Sequence, residues 1–347
     1  MSRIYLDHNA TAPLRPEARE AMLAAMDVTG NPSSVHAEGR AAKAIVERAR
    51  AEIAEAAGAA AADIVFVSGA TEAAALALEG RDLDGAAVEH DAIAAWVSDA
   101  LPVDGQGHVE VAEPGRAVLQ LANSETGVLQ DLPRGLALAD ITQGFGRVPF
   151  AFDWSGVDMA ILSAHKFGGP KGVGVLILRR GTDLAARIRG GGQEMGRRAG
   201  TENVIGIAGM AAAAKAAQRD LETGVWDRVS TLRDKLEGAV ENAAPDLIFA
   251  GRGAARLPNT SCFAARGWKG ETQVMAMDLA GIAISAGSAC SSGKVRASRV
   301  LTAMGYDSEL AGSAIRVSLG VETTEDEVSR FAEAWSSAYR KMRARAA

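Results

Sequence analysis

Along the first two-thirds of the chain, helix-period stretches alternate with short, solid apolar runs of strand length. Residues 16–26 read as a helix with proline in its first turn. Residues 37–57 carry Ile45, Ala49, Ile53 and Ala56 on one face, and Gly58 stops them. Strands are predicted at 63–67, 117–122, 136–140, 158–162 and 173–178, with an alanine-rich helix after Thr71-Glu72 and another over 201–220. Strands alternating with helices argue for a parallel, doubly wound sheet. One connection breaks the pattern: between 122 and 136, with Pro133 and Gly135 near its end, there is room only for a bare loop. Beyond a helix at 227–243 the pattern changes to short strands at 247–250, 260–264, 282–286 and 314–319. Helices at 271–279 and 298–304 lie between them, and one over 325–342 closes the chain.

A length of 347 residues exceeds what one hydrophobic core usually serves, so two lobes are expected. A formal charge of -6, without a basic block outside the last residues, excludes the electrostatic footprint of a nucleic-acid binder. Cys262 and Cys290 are too few for a disulfide framework, which fits a reducing cytosol. No apolar run reaches the length of a membrane span, and the N-terminus has no leader pattern. The expectation is a cytoplasmic protein with neither membrane nor nucleic acid as partner.

Chemistry concentrates where the strands end. Ser163-Ala164-His165-Lys166 lies between two buried runs, where a poorly solvated lysine can lose its proton and attack a carbonyl. The plain alternative is a lysine in a turn. Ser68-Gly69-Ala70-Thr71-Glu72 forms a strand–turn–helix junction whose free N–H groups suit an anion, or equally an ordinary capped helix start. It is not a Walker loop, and Gly144-Phe145-Gly146 is not a dinucleotide fingerprint, because Pro149 stands where a helix should run. Carboxyl ends of parallel strands gather ligands, and here they hold Thr71, Asn123, Asp140, Gln143, Ser163, His165 and Lys166. An anion cup, an acid, two amides and a lysine suit pyridoxal 5'-phosphate. Lys166 would take its aldehyde, and Asp140 would keep its ring nitrogen protonated. Individually, Asp140 could cap a turn and Asn123 could fix a loop.

On these residues the sequence resembles the cysteine desulfurases (NifS/IscS-like) among the fold-type I, class V pyridoxal-phosphate enzymes. The match runs from Tyr5-Leu6-Asp7-His8-Asn9-Ala10-Thr11 to Ile315-Arg316-Val317-Ser318-Leu319-Gly320. Between them, in the family's order, stand Ser68-Gly69-Ala70-Thr71-Glu72, Glu89-His90, Asn123-Ser124-Glu125-Thr126-Gly127, Ser163-Ala164-His165-Lys166, Arg198-Ala199-Gly200-Thr201 and Ala286-Gly287-Ser288-Ala289-Cys290. The resemblance implies a mostly parallel seven-stranded sheet in a large domain, residues 15–223, beside a smaller α+β domain. The latter comprises 1–14 and 224–347 and carries the catalytic cysteine loop.

It also implies roles. Lys166 carries the cofactor, and His90 stacks on the ring and moves protons, although a histidine in such a helix-flanking loop is more often structural. Asp140 partners the ring nitrogen and Gln143 the ring hydroxyl. Ala70, Thr71, Ser163 and His165 form the phosphate cup, and Thr201 reaches a phosphate across a homodimer interface. Asn123 and Arg316 hold the substrate carboxylate, for which a guanidinium is a natural clamp. Cys290, in a loop of small residues, accepts sulfur from L-cysteine as a persulfide and passes it to a sulfur-acceptor protein or scaffold. Its use would be iron–sulfur cluster or other sulfur-cofactor biosynthesis. No metal site is expected beyond a transient contact of Cys290 with an iron–sulfur cluster. Cys262, by contrast, reads as a small buried hydrophobe. Rival readings are a class V aminotransferase, which would not need Cys290, a selenocysteine lyase, and a non-catalytic sulfur-assembly partner. Residues 78–166 are shorter than the family pattern, while the proposed ligands are kept.

Overall fold

The computed structural model of the protein describes residues 3–287 and 297–346. Its central sheet has five strands, β1 (Ala62–Val67), β2 (Val118–Gln120), β3 (Leu138–Asp140), β4 (Met159–Ser163) and β5 (Gly174–Arg179), in the order β1-β5-β4-β3-β2. β2, β3 and β4 run parallel, whereas β5 is antiparallel to both of its neighbours. Four of the five strands therefore run in one direction, with β5 alone reversed, so the sheet is mostly parallel as expected, with five strands rather than seven. A two-stranded ribbon, Asp84–Gly85 with Ser98–Asp99, adjoins the β2 edge through one bridge between Asp84 and Ala117. Connection length explains the reversal. Only residues 164–173 separate β4 from β5, and a parallel return needs a crossover of about a dozen residues or more. The chain turns straight back, and Lys166 lies in that turn.

Helices α1 (Pro16–Met26), α2 (Ala37–Ala56) and α4 (Val204–Glu222) cover one face of the sheet, and α3 (Ala70–Leu78) the other. Strand β4 shows how. Ala160 and Leu162 pack with Val46, Ile53 and Met210, while Met159 and Ile161 pack with Leu76 and Leu78. Side chains alternate between faces with period two, and both faces are covered, so the strand reads as one unbroken apolar run. Each large side chain so buried contributes about 1.5–3 kcal/mol.

A second core lies among α5 (Val225–Ala243), α6 (Gly270–Leu279), α7 (Glu325–Ala346) and an antiparallel sheet of β6 (Ile248–Phe249), β7 (Thr260–Ala264), β8 (Ser285–Ala286) and β9 (Ala314–Ser318). Trp335 sits at its centre, fully buried, stacked on Tyr339 and donating Nε1–H to Gln273 Oε1 at 3.0 Å. The single strand expected over 282–286 is two. Ile282–Ala283 pairs in parallel with Ile4–Tyr5, and β8 pairs with β9, with buried Ile284 between the two. This pairing, with a bridge from Asp7 to Ser318, brings the N-terminal segment against the turn that holds Lys166. The 122–136 connection contains no helix, as its length requires.

Candidate active site

A cavity of about 680 Å³ opens at the carboxyl ends of β1, β3 and β4. Ala70, Thr71, His90, Asp140, Gln143, Ser163, His165 and Lys166 all line it. Eight of the residues singled out in the sequence thus meet in one space.

At one end is the start of α3. No side chain caps this helix at Gly69, which leaves its first N–H groups directed at the cavity. Glu72 does not fill the role: it turns back onto Ser68 N–H at 2.8 Å and pairs with Arg198 at 2.8 Å. Burial works against its charge, but Arg198 and Ser68 outweigh burial and hold its carboxyl below the usual range. Gly174, at the start of β5, has room for no side chain, since a Cβ would lie 2.7 Å from Gly69 Cα and 2.7 Å from Leu162 O. His165 contributes a neutral imidazole, its pKa brought down to about 4 by burial and then by Lys166, Lys171 and His90. Its Nδ1 lies 3.2 Å from Thr11 Oγ1. Lys171 lines the same end; its place in the glycine-rich stretch after Lys166 was the signal for it.

Lys166 does not point into bulk solvent. It is half-buried, and Nζ donates to the carbonyls of Asn9 at 2.8 Å and Ala10 at 3.0 Å. Facing the same space, Asp140 accepts Thr142 N–H on Oδ1 at 2.9 Å. His90 accepts Ala92 N–H on Nδ1 at 3.1 Å, so in the neutral ring the proton sits on Nε2. Burial lowers the pKa of His90 although Asp140 pulls it up. Gln143 donates Nε2–H to Asn9 O at 2.9 Å and accepts Arg147 Nη1 on Oε1 at 2.7 Å.

Two expected substrate ligands lie elsewhere. Asn123 is buried behind the cavity with its amide committed: Nδ2 donates to Val88 O, and Oδ1 accepts the N–H groups of Glu125 and Thr126. Here it fixes the loop, the plainer of its two readings. Arg316 is buried, with Nη2 on Asp7 Oδ1 at 2.7 Å, Nη1 on Ser124 O at 3.0 Å, and Nε without a partner among the described residues. Its fork is turned to the N-terminal segment, not to the cavity. Thr201 is exposed and outside its own chain's cavity. Cys290 lies outside the described residues. Cys262 is fully buried in β7, and burial first, then Glu125, pushes its thiol up to about 12.

Sequence reasoning passed over Arg147, Asn9 and Thr142. Arg147 stands four residues after Gln143, but its partners are scattered over the chain. Glu125 belongs to a recognised motif, yet only the structure shows its setting. Its carboxylate accepts Ser298 Oγ–H at 2.5 Å, and burial lifts its pKa to about 7 against Ser298, Arg316 and Arg299. An acid whose pKa rises on folding holds its proton more tightly in the native state. Its stabilising contribution is complete below the ordinary value of 4.5 and is lost as pH rises through about 7. Glu125→Gln should flatten that part of the stability–pH curve, worth up to about 3 kcal/mol. Denaturant titrations across this range measure it, and an unaltered slope in the variant would contradict the assignment.

These residues fit pyridoxal phosphate. The uncapped helix start suits a phosphate, Asp140 suits a ring nitrogen, and Lys166 lines the same cavity. In addition, Thr142 Oγ1 is buried at the cavity wall with no partner among the described residues. An orphaned hydroxyl is costly unless a ligand satisfies it.

Comparison with known proteins agrees. The model of the aminotransferase class-V family matches residues 4–97 and 116–331. A cysteine desulfurase of Cereibacter sphaeroides is 40% identical over 370 aligned residues, covering 96% of this chain and 95% of its own. The crystal structure of a NifS-like protein from Rickettsia africae ESF-5 superposes with a TM-score of 0.88 at 32% identity, over 97% of this chain and 99% of that one. A structure described as SspA in complex with cysteine superposes with a TM-score of 0.76 at 25% identity, over 92% and 100% of the two chains. The fold is that of the fold-type I enzymes, and the chain belongs to the class-V aminotransferase family. Within it the chain is one of the cysteine desulfurases, enzymes that depend on pyridoxal phosphate. Among the described residues no helix is long and apolar enough to cross a membrane.

Proposed function

We propose that this chain takes sulfur from L-cysteine onto Cys290, leaving L-alanine, with the cofactor held at Lys166. The observation that carries this reading is the convergence of Lys166, Asp140, His90 and the uncapped start of α3 on one cavity. When bound, pyridoxal phosphate supplies an electron sink that lets the substrate's α-proton leave. Around it, Ala70, Thr71, Ser163 and His165 receive the phosphate, with Thr201 reaching it from a second copy of the chain. The exposure of Thr201 away from its own cavity supports such a homodimer. Asp140 holds a proton on the ring nitrogen, and His90 delivers one from Nε2. Arg316 serves the substrate carboxylate only by giving up Asp7, a neighbouring pair whose exchange would make carboxylate binding competitive.

Sulfur transfer balances without an outside oxidant. The thiolate of Cys290 bonds to the substrate sulfur, the carbon–sulfur bond breaks, and the β-carbon takes up a proton, so carbon is reduced as sulfur is oxidised. Cys262 cannot replace it. A thiol with no solvent exposure and a pKa of about 12 supplies essentially no thiolate at neutral pH. The persulfide then passes to an acceptor protein or scaffold for iron–sulfur cluster or other sulfur-cofactor assembly, in the reducing cytoplasm where a free thiol persists. We assign residues 15–223 to a cofactor-binding domain and the remainder to a smaller domain, a division supported by two hydrophobic cores drawn from the corresponding parts of the chain, with a third cluster joining Ala86 and Val88 to residues of the smaller domain.

Peptide mass spectrometry of the loaded enzyme after brief exposure to L-cysteine tests this reading. One added sulfur on the peptide containing Cys290, with alanine released in equal amount, is expected. Sulfur on Cys262, or pyruvate and ammonia in place of alanine, would overturn it.

A further inference from the structure

Arg147 is a buried guanidinium whose four hydrogen-bond acceptors among the described residues are all uncharged. Nη1 donates to Gln143 Oε1 at 2.7 Å and Asn9 Oδ1 at 2.8 Å, and Nη2 to the carbonyls of Lys166 at 2.9 Å and His8 at 3.4 Å. A cation placed on neutral partners away from water is costly. Burial brings its pKa down to about 9, and Arg316 and Arg15 repel it further.

What this arrangement secures is the direction of one amide. A guanidinium can only donate, so Gln143 must turn its oxygen toward Arg147. The amide nitrogen then faces the other way, where one N–H meets Asn9 O at 2.9 Å, itself a pure acceptor. The second N–H remains for the cavity that Gln143 lines. Turned over, the same amide would show the cavity an acceptor and oppose Arg147 with its own N–H groups. The Lys166 carbonyl is held by the same guanidinium, so one side chain sets the donor and the lysine in fixed relation.

We propose that Arg147 is a positioning residue that orients Gln143 so that the bound cofactor meets an N–H donor beside Lys166. The inference rests on the reading that Lys166 and Gln143 hold pyridoxal phosphate. The charged and titratable groups facing this network are Lys166, His8, Arg15 and Arg316, with Asp140 and His90 across the cavity.

The test uses the full-length, cofactor-loaded protein and reads the midpoint of the pH titration of the cofactor's visible absorbance, its dissociation constant and the melting temperature. Arg147→Met cannot donate, and Gln143→Leu removes the amide. Each should raise the midpoint by on the order of one pH unit and weaken cofactor binding roughly tenfold, the size of one oriented hydrogen bond. The double variant should do no more than either alone, because the two act as a unit. Arg147→Gln, which keeps a donor without the charge, should titrate near the wild type. An unmoved midpoint in Arg147→Met, even with a lower melting temperature, would overturn the proposal, and so would additive shifts in the double variant. Should Arg147→Met not fold, Arg147→Gln decides: titration like the wild type supports orientation, and titration like Gln143→Leu overturns it. A wild type that takes up no coloured cofactor would instead sink the underlying reading, and this inference with it.

Discussion

Cys290→Ser should lose sulfur release from L-cysteine by on the order of 10³-fold or more, yet keep the colour of the bound cofactor. A serine hydroxyl is neither ionised near neutral pH nor able to form the sulfur–sulfur bond, so the carbon–sulfur bond has no acceptor. Among the described residues none that lines the cavity around Lys166 is a cysteine, and the other thiol is sealed within β7 at a pKa of about 12. Binding of cofactor and substrate should survive, so the loss falls on turnover. Cys262→Ala, by comparison, should leave turnover near the wild type and cost stability, as expected for a buried small side chain. Equal losses from the two substitutions would show that neither thiol is the acceptor.

The second large effect is expected at Lys166. Lys166→Ala should abolish the visible absorbance of the lysine-bound cofactor and reduce turnover by on the order of 10³-fold or more. The lysine is placed by the backbone rather than by a charge partner alone. Its amine rests on the Asn9 and Ala10 carbonyls, and its own carbonyl is gripped by Arg147. Shortening the side chain therefore removes the amine without dismantling the turn. The proposed phosphate seat is the uncapped start of α3 rather than the lysine, so the variant should still take up cofactor, only without a covalent hold. A variant that binds pyridoxal phosphate without the lysine-bound absorbance band separates loss of the amine from loss of the fold.

Much of this was readable in the residues. The helix over 16–26 has the predicted bounds, because proline at its first turn and the apolar face leave little choice. The helix predicted from 201 begins three residues later, since Asn203 caps it by accepting Gly206 N–H. Strand ends located most of the cavity because the strands are short and the chemistry follows directly upon them. Strand direction was not legible: periodicity reports burial, whereas the reversal of β5 follows from the length of one turn. Nor was the commitment of side chains. Asn123 and Arg316 carry the right groups, but their partners, Val88, Ser124 and Asp7, come from elsewhere in the chain. Arg147 escaped for the same reason. Its significance lies in carbonyls and amides that only the folded N-terminal segment brings to it.

Borohydride reduction of the cofactor-loaded protein, followed by peptide mapping, asks the central question directly: which amine holds the aldehyde. A pyridoxyl group retained on Lys166 alone is the result expected from this cavity. Retention on Lys171 or any other lysine, or none at all, would contradict it.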